Sequence, residues 1–141
     1  MKRTITNLLL ALASVCIGAT GLEAQSYSIS ASIPFAFHAK GNNCSPGTYV
    51  FQKDVNRDIQ SLRNRDTGHS LFLGALPQSK VNHGSPRLVF NRYGNEYFLS
   101  EIWNDKGTGT HLAPSKLEKQ VRERVTEAKA TTATVYMASK R

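Results

Sequence analysis

The sequence predicts a mainly β domain, an antiparallel small barrel or sandwich of about seven strands with one late amphipathic α-helix. Three observations predict it. Apolar residues alternate with polar ones over several short runs, and turn-forming residues separate these runs. The hydrophobic spacing changes to nearly four residues only in the region 115–129. The pattern does not decide between a closed barrel and a sandwich.

The first 24 residues have the pattern of a secretory signal peptide. A cationic start is followed by an apolar stretch beginning at Leu8, and the small residue Ala24 ends the segment. This stretch of about 15 residues is shorter than the roughly 20 that a membrane-spanning helix needs. We therefore expect no integral membrane segment after signal removal. The remaining residues, 25–141, suffice for a single β-rich domain in the periplasm or outside the cell.

The exported domain is basic. The formal charge of the whole chain, +8, falls only to +7 for the exported part when the two cations and one acid of the signal are removed. Such a charge favours contact with an anionic envelope polymer, lipid headgroups or acidic glycans. Nucleic acid is an unlikely partner class, because the cations are scattered and lack an aromatic ladder, a zinc pattern or a recognition helix.

The domain opens with the alternating run SYSISASIPFAF, which predicts a half-buried strand. Pro34 lacks a backbone donor and belongs at an edge or a bulge, so the strand bends there or continues as a second piece. Next comes the turn KGNNCSPG. Further strands are predicted at 48–53, 59–65 and 70–76, the last two joined by the turn DTGH.

Cys44 is the single cysteine left after signal removal, so no intramolecular disulfide can form. It is interpreted as a small buried apolar residue, with an intermolecular bridge or a reactive thiol as the alternatives. The stability of the domain must then come from packing.

The stretch RLVFNRYGNEYFLSEIW, residues 87–103, predicts a central hairpin. Gly94-Asn95 is a hairpin turn signal, and closing on it places Arg92 opposite Tyr97. Continued without interruption, the register sets Phe90 opposite Leu99 and Leu88 opposite Glu101. One face then carries the set Leu88, Phe90, Arg92, Tyr97, Leu99, Glu101 and Trp103, and the other carries Val89, Tyr93, Phe98 and Ile102. Both faces are apolar enough to be covered.

Five residues of this hairpin are the candidate ligand-binding residues: Phe90, Arg92, Tyr97, Glu101 and Trp103. Their aromatic rings could stack on a ligand and their charges could orient its polar groups, in a concave site at a barrel mouth.

The structural alternative gives Glu101 a purely architectural role. A buried, unpaired carboxylate costs several kcal/mol, so Glu101 should have a cation or donor close by. Arg63, Arg87, Lys119 and Arg122 are the candidates, and such an ion pair would tie the helix to the sheet.

The helix predicted over about 115–129 begins with a capping box, in which Ser115 accepts from a first-turn amide and Glu118 reaches back to the cap amide. A narrow apolar stripe follows, formed by Leu117, Val121, Val125 and Ala128. The stripe packs on the sheet or, alternatively, docks a partner. The β-branched run TTATVYMA predicts the last strand, whereas PQSKVNHGSP and NDKGTGTHLAP are predicted loops.

Three segments together resemble a group of small exported acidobacterial proteins: IPFAFHAKGNNCSPGTYVF, LVFNRYGNEYFLSEIW and LAPSKLEKQ. That group has an Ile-Pro-Phe strand, a Pro-Ala-Gly-Thr-Tyr turn, a Phe-x-Arg-Tyr-Gly hairpin and a Pro-x-Ser-x-x-Glu helix start. The resemblance covers most of the exported chain and implies a β-rich exported domain, but it implies nothing about mechanism. Cys44 and Ser45 depart from the group's usual apolar residue before its turn, which leaves the role of Cys44 open.

Motifs for catalysis and cofactors are absent from the sequence. His38, His69, His83 and His111 each lie near a turn without a short metal-ligand spacing, and GTG at 107–109 lacks the strand and helix of a phosphate loop. We therefore expect no cofactor and no metal. The leading hypothesis is a non-enzymatic binding or envelope-associated structural module. The alternatives are a carrier of a small apolar ligand, with a cavity lined by Phe90, Tyr97, Leu99 and Trp103, and a hydrolase or metal enzyme.

Overall fold

The computed structural model describes residues 27–54, 59–74, 78–80, 84–125, 131–136 and 138–139. The predicted signal peptide lies outside these residues. The described elements are β1 (Tyr27–Ile33), β2 (Phe37–Ala39), β3 (Asn42–Cys44), β4 (Gly47–Asp54), β5 (Ile59–Asn64), β6 (Ser70–Gly74), β7 (Gln78–Lys80), β8 (Arg87–Tyr93), β9 (Glu96–Trp103), β10 (Thr108–His111), α1 (Lys116–Arg124), β11 (Thr131–Tyr136) and β12 (Ala138–Ser139).

The strands form two sheets that share one core. The first sheet has the order β12-β1-β4-β5-β6, and the second has the order β11-β8-β9-β10-β7, with β2 beside β9 and β3 beside β2. Side chains from both sheets meet in one buried cluster that includes Ile29, Phe51 and Leu62 from the first and Phe90 and Ile102 from the second. The predicted mainly β class with one late helix is confirmed. Over the described strands, the arrangement is sandwich-like and does not close into a barrel.

The alternating run at the start of the domain serves both sheets. Ile29, Ala31 and Ile33 of β1 are buried, and β1 pairs antiparallel with β4 along its whole length. At Pro34 the chain leaves the first sheet, and β2 pairs in the second with Phe37 only 2% exposed. The prediction of a second strand piece after Pro34 is confirmed. The alternation continues across the break because the core lies between the two sheets.

The hairpin of β8 and β9 occupies the middle of the second sheet, as predicted. Arg92 pairs with Tyr97 and Phe90 with Leu99, but the register then shifts, so that Val89 rather than Leu88 faces Glu101. The predicted pair of Leu88 with Glu101 is wrong because a β-bulge places an extra residue in β9.

The bulge exchanges the two faces of β9 beyond Leu99. Ile102 joins the core between the sheets, together with Leu88, Phe90 and Leu99. Glu101 and Trp103 therefore lie on the opposite face, because a one-residue shift moves every later side chain to the other side. The predicted single face carrying Arg92, Tyr97, Glu101 and Trp103 does not form.

The helix covers that opposite face. Ser115 caps α1, its Oγ accepting from the amide of Glu118 at 3.1 Å. Val121 packs against Tyr93 and Phe98, and Leu117 and Val125 contact the same cluster. The predicted stripe thus packs on the chain's own sheet, and the alternative of partner docking does not hold for these residues. Residues 126–130, where the predicted helix ends, lie outside the described ranges.

Two predicted loops contain strands. β10 lies in the predicted loop 104–114 and pairs with β9, and β7 lies in the predicted loop 77–86 and pairs with β10. Both loop predictions are wrong over these residues. Gly109 explains part of this, since a Cβ at this position would stand 2.6 Å from the ring of Trp103. Only glycine allows β10 to approach β9 beside this ring.

Candidate functional site

The predicted ligand-binding residues on the core side of the hairpin are already packed. Phe90 is fully buried, and its ring meets the edge of Phe35 at a centroid distance of 5.2 Å. Tyr97 stacks on Phe35 at 4.0 Å, and the guanidinium of Arg92 lies 5.4 Å from the centre of the Tyr97 ring. These side chains pack against one another, and none of them belongs to the wall of the pocket described below.

Glu101 and Trp103 meet on the other face of the sheet. The indole Nε1 of Trp103 donates to Oε2 of Glu101 at 2.6 Å, and Nδ1 of His111 lies 3.6 Å from Oε1. The guanidinium of Arg87 lies 5.1 Å from the Trp103 ring centre. Glu101 has a donor partner, as expected, but an indole and an imidazole rather than a cation of the helix.

The polar connection between helix and sheet is made by Glu118 instead. This residue is only 5% exposed, and its Oε1 accepts from Nδ2 of Asn91 at 2.9 Å and from the hydroxyl of Tyr93 at 3.4 Å. Burial, with the nearby Glu118 charge as a second cause, raises the pKa of the Tyr93 phenol. The capping-box pattern located Glu118 correctly but assigned its side chain to the cap amide.

A pocket of about 710 Å³ lies at one end of the sandwich, away from the residues predicted to bind a ligand. Two turns form its rim, the segment from β3 into β4 and the turn from β5 to β6, and the inner faces of β4 and β5 form its floor. Its wall residues are Ala36, Asn42, Asn43, Cys44, Ser45, Pro46, Tyr49, Leu62, Asn64, Thr67, His69, Ser70 and Leu71.

The floor of the pocket combines apolar side chains with one polar group. Tyr49 and Leu62 are 5% and 1% exposed, and the Tyr49 hydroxyl donates to the carbonyl of Ser45 at 2.6 Å. Burial raises the pKa of the Tyr49 phenol, against the opposing effect of the neighbouring Asn64 amide. Asn64 is 2% exposed, and its Nδ2 has no hydrogen-bond partner among the described residues.

Cys44 contributes a protonated thiol to the rim. Burial raises the pKa of the Cys44 thiol above its usual value, and Sγ is 3.9 Å from the carbonyl oxygen of Asn42. Because the thiolate is the reactive species, this environment disfavours nucleophilic chemistry. The structure thus favours the interpretation of Cys44 as a small packing residue over that of a reactive thiol.

The histidines are distributed rather than clustered. His38 stacks on Phe98 and lies 3.5 Å from Glu96, His111 lies beside Glu101, and His69 belongs to the pocket wall. His83 lies outside the described residues. Within the described ranges, no three His, Cys, Asp or Glu side chains are placed to hold a metal ion together. No described helix has the length and apolar character to cross a membrane.

Comparison with protein-family models, with curated proteins and with solved structures gives no match for this chain. The candidate site therefore rests on its geometry alone. Sequence reasoning missed the pocket because its rim comes from two segments interpreted only as turns. One signal was present: Asn64 continues the inward alternation of Gln60 and Leu62, so a polar residue occupies a core position.

Proposed function

We propose that the protein is an exported, non-enzymatic binding protein that carries a small, largely apolar ligand in the pocket at the end of its sandwich. The observation that supports this proposal is the pocket itself. Its volume of about 710 Å³ lies in the range of roughly 300–1,000 Å³ that is usual for small-molecule sites. Its wall consists of apolar floor residues and a few polar groups, which is the usual composition of small-molecule sites.

The proposal moves the predicted ligand cavity from the central hairpin to the end of the sandwich. Phe90 and Leu99 contribute to the core that supports the first sheet, whose strands β4 and β5 carry the floor. The pocket is open on one side and most of its rim residues are exposed, so a ligand can enter without the sheets separating.

Binding of the fluorescent probe N-phenyl-1-naphthylamine tests this proposal. The probe is apolar and uncharged, and we expect saturable binding of one molecule per chain. Leu71 is a wall residue of β6 that pairs with the inward-facing Leu62, so Leu71→Trp should fill the pocket and weaken binding about tenfold, or about 1.4 kcal/mol. Phe72 is 71% exposed on the outer face of the same strand, and Phe72→Trp is the matched control. Equal binding by both variants, or no saturable binding by the native protein, would refute the proposal.

A second candidate function is attachment to an anionic envelope polymer through the outer face of α1. The exposed residues of this helix include four cations, Lys116, Lys119, Arg122 and Arg124, and one acid, Glu123, and a surface with a net positive charge attracts polyanions. Retention on immobilised dextran sulfate tests it. The double change Lys119→Glu and Arg122→Glu should lower the eluting salt concentration much more than the double change Arg63→Glu and Arg65→Glu at the end of β5, which alters the net charge by the same amount; an equal effect of both would contradict attachment through the helix.

A further inference from the structure

We infer that the ligand of this pocket carries a neutral acceptor oxygen, that of a ketone, ester or amide, and presents it to the side-chain amide nitrogen of Asn64. This inference rests on the proposed function and names the class of ligand that the site selects. The ligand class is an uncharged, mostly apolar carbonyl compound.

The orientation of the Asn64 amide is fixed by its oxygen. Oδ1 accepts from the backbone amides of Asp66 at 2.8 Å and Thr67 at 3.1 Å, in the turn that joins β5 to β6. Since only the oxygen can accept these two bonds, the other terminal atom is the NH₂ group. Local structure thus determines which atom of the amide is left as a free donor.

The nitrogen is a donor without a partner in a buried place. Nδ2 of Asn64 makes no hydrogen bond of acceptable geometry with the described residues, although the Asn64 amide is close enough to the Tyr49 phenol to lower its pKa against the larger effect of burial. A buried donor left unpaired is unfavourable, and it gains more from an incoming acceptor than an exposed donor would. The pocket wall therefore favours a ligand that brings an oxygen acceptor.

The charges around the pocket favour a neutral acceptor over a carboxylate. The described wall residues include neither lysine nor arginine, so a ligand carboxylate would be desolvated without a strong cationic partner from them. Asp66 lies in the turn bonded to Asn64, and its Oδ2 accepts from the amide of Thr48 at 2.8 Å. Its negative charge beside the Asn64 turn would repel a second anion. A carbonyl oxygen meets neither penalty.

Contact of the ligand oxygen with Asn64 requires the exposed rim to move. Nδ2 of Asn64 is covered in the free protein, so the oxygen reaches it by displacing neighbouring atoms. Tyr49 is held to the rim by the hydrogen bond from its hydroxyl to the carbonyl of the exposed residue Ser45. A small outward shift of this rim uncovers the amide while the two bonds to its oxygen remain.

Three probes of matched shape test the inference by displacing N-phenyl-1-naphthylamine. These are 2-acetylnaphthalene with a carbonyl, 2-ethylnaphthalene without an acceptor, and 2-naphthoate with a carboxylate. We expect 2-acetylnaphthalene to bind about tenfold more tightly than 2-ethylnaphthalene, with 2-naphthoate the weakest. Equal affinities of the acetyl and ethyl compounds overturn the inference and leave the pocket proposal standing, whereas failure of the fluorescent probe itself refutes the pocket proposal.

The variant Asn64→Asp removes the side-chain donor while keeping the oxygen that stabilises the turn. Aspartate keeps an oxygen for the amides of Asp66 and Thr67 but replaces the NH₂ donor with a second oxygen. We expect the preference for 2-acetylnaphthalene to vanish or reverse in Asn64→Asp and to persist in Asn43→Asp, which adds the same charge to the pocket wall. A preference that survives Asn64→Asp overturns the inference. If this variant does not fold, the side-chain amide NMR signals of Asn64 in the native protein decide, since they must shift with the acetyl probe and not with the ethyl probe.

Discussion

Replacing Glu118 by alanine should loosen the helix from the second sheet. The carboxyl oxygen of this buried residue accepts from Asn91 Nδ2 at 2.9 Å and from the Tyr93 hydroxyl at 3.4 Å. The alanine variant retains the helix cap, because the bond of the residue 118 amide to Ser115 uses only backbone at this position. It removes the acceptor and leaves two donors at the helix–sheet contact without their partner.

The expected loss follows from these two bonds. A hydrogen bond to a carboxylate contributes about 1.5–3 kcal/mol, and the 3.4 Å bond to Tyr93 lies at the long, weak end. We therefore expect Glu118→Ala to lower the free energy of unfolding by about 2–3 kcal/mol and Tm by about 10 °C. Ser115→Ala removes a cap and should cost about 1 kcal/mol. Gln120→Ala, on the exposed face of the same helix, should change stability by less than about 0.5 kcal/mol.

Urea unfolding followed by circular dichroism measures these differences at a fixed pH. A double-mutant cycle of Glu118→Ala with Asn91→Ala should give a coupling energy of about 1 kcal/mol or more. If Glu118→Ala is no more destabilising than Gln120→Ala, or if the coupling is near zero, Glu118 is not the link between helix and sheet.

Three further predictions concern single residues. Burial raises the pKa of Tyr93, so the protonated phenol contributes fully to stability below about pH 10, and this contribution is lost as the pH rises through the folded-state pKa. Urea unfolding at several alkaline pH values should therefore show a less steep loss of stability for Tyr93→Phe than for the native protein, and equal slopes would contradict this. Because the pKa of Cys44 is raised by burial, iodoacetamide at pH 7.5 should alkylate it more slowly than N-acetylcysteine, and equal rates would count against a buried thiol. Gly109→Ala places a Cβ 2.6 Å from the Trp103 ring and should lower the free energy of unfolding by about 1–3 kcal/mol. Gly94→Asn, in open space at φ 63°, should lower the free energy of unfolding by less, and thermal unfolding of both variants measures the difference.

Local rules of turn and alternation account for the part of the fold that the sequence predicts. The Gly94-Asn95 turn sets the pairs of Arg92 with Tyr97 and Phe90 with Leu99, and the structure has both. Beyond Leu99 the extra residue of the bulge changes the face of every later side chain. No residue type in LSEIW marks this insertion, so the proposed cluster of Arg92 and Tyr97 with Glu101 and Trp103 could not be corrected from sequence.

The pocket depends on tertiary contacts that a linear pattern does not record. Its rim joins residues 42–46 to residues 67–71, two turns that come together only because β4 and β5 pair in the first sheet. Composition identifies each turn separately, since Gly, Asn, Ser and Pro suit turns. It does not show that they face one another across a cavity. The free donor of Asn64 is still less visible, because it follows from bonds made within one turn.

The pairing of β1 with β12 governs the order in which the molecule can assemble. Ser30 Oγ lies 3.5 Å from the carbonyl of Ala138, a contact between residues 108 positions apart in the chain. Contacts of such long range slow folding, because a large loop must close before they form. Until the last strands arrive, the edges of β1 and β8 stay unpaired and open to association with other chains. Loss of residues 131–139 is therefore expected to leave an open edge on each sheet and to promote aggregation.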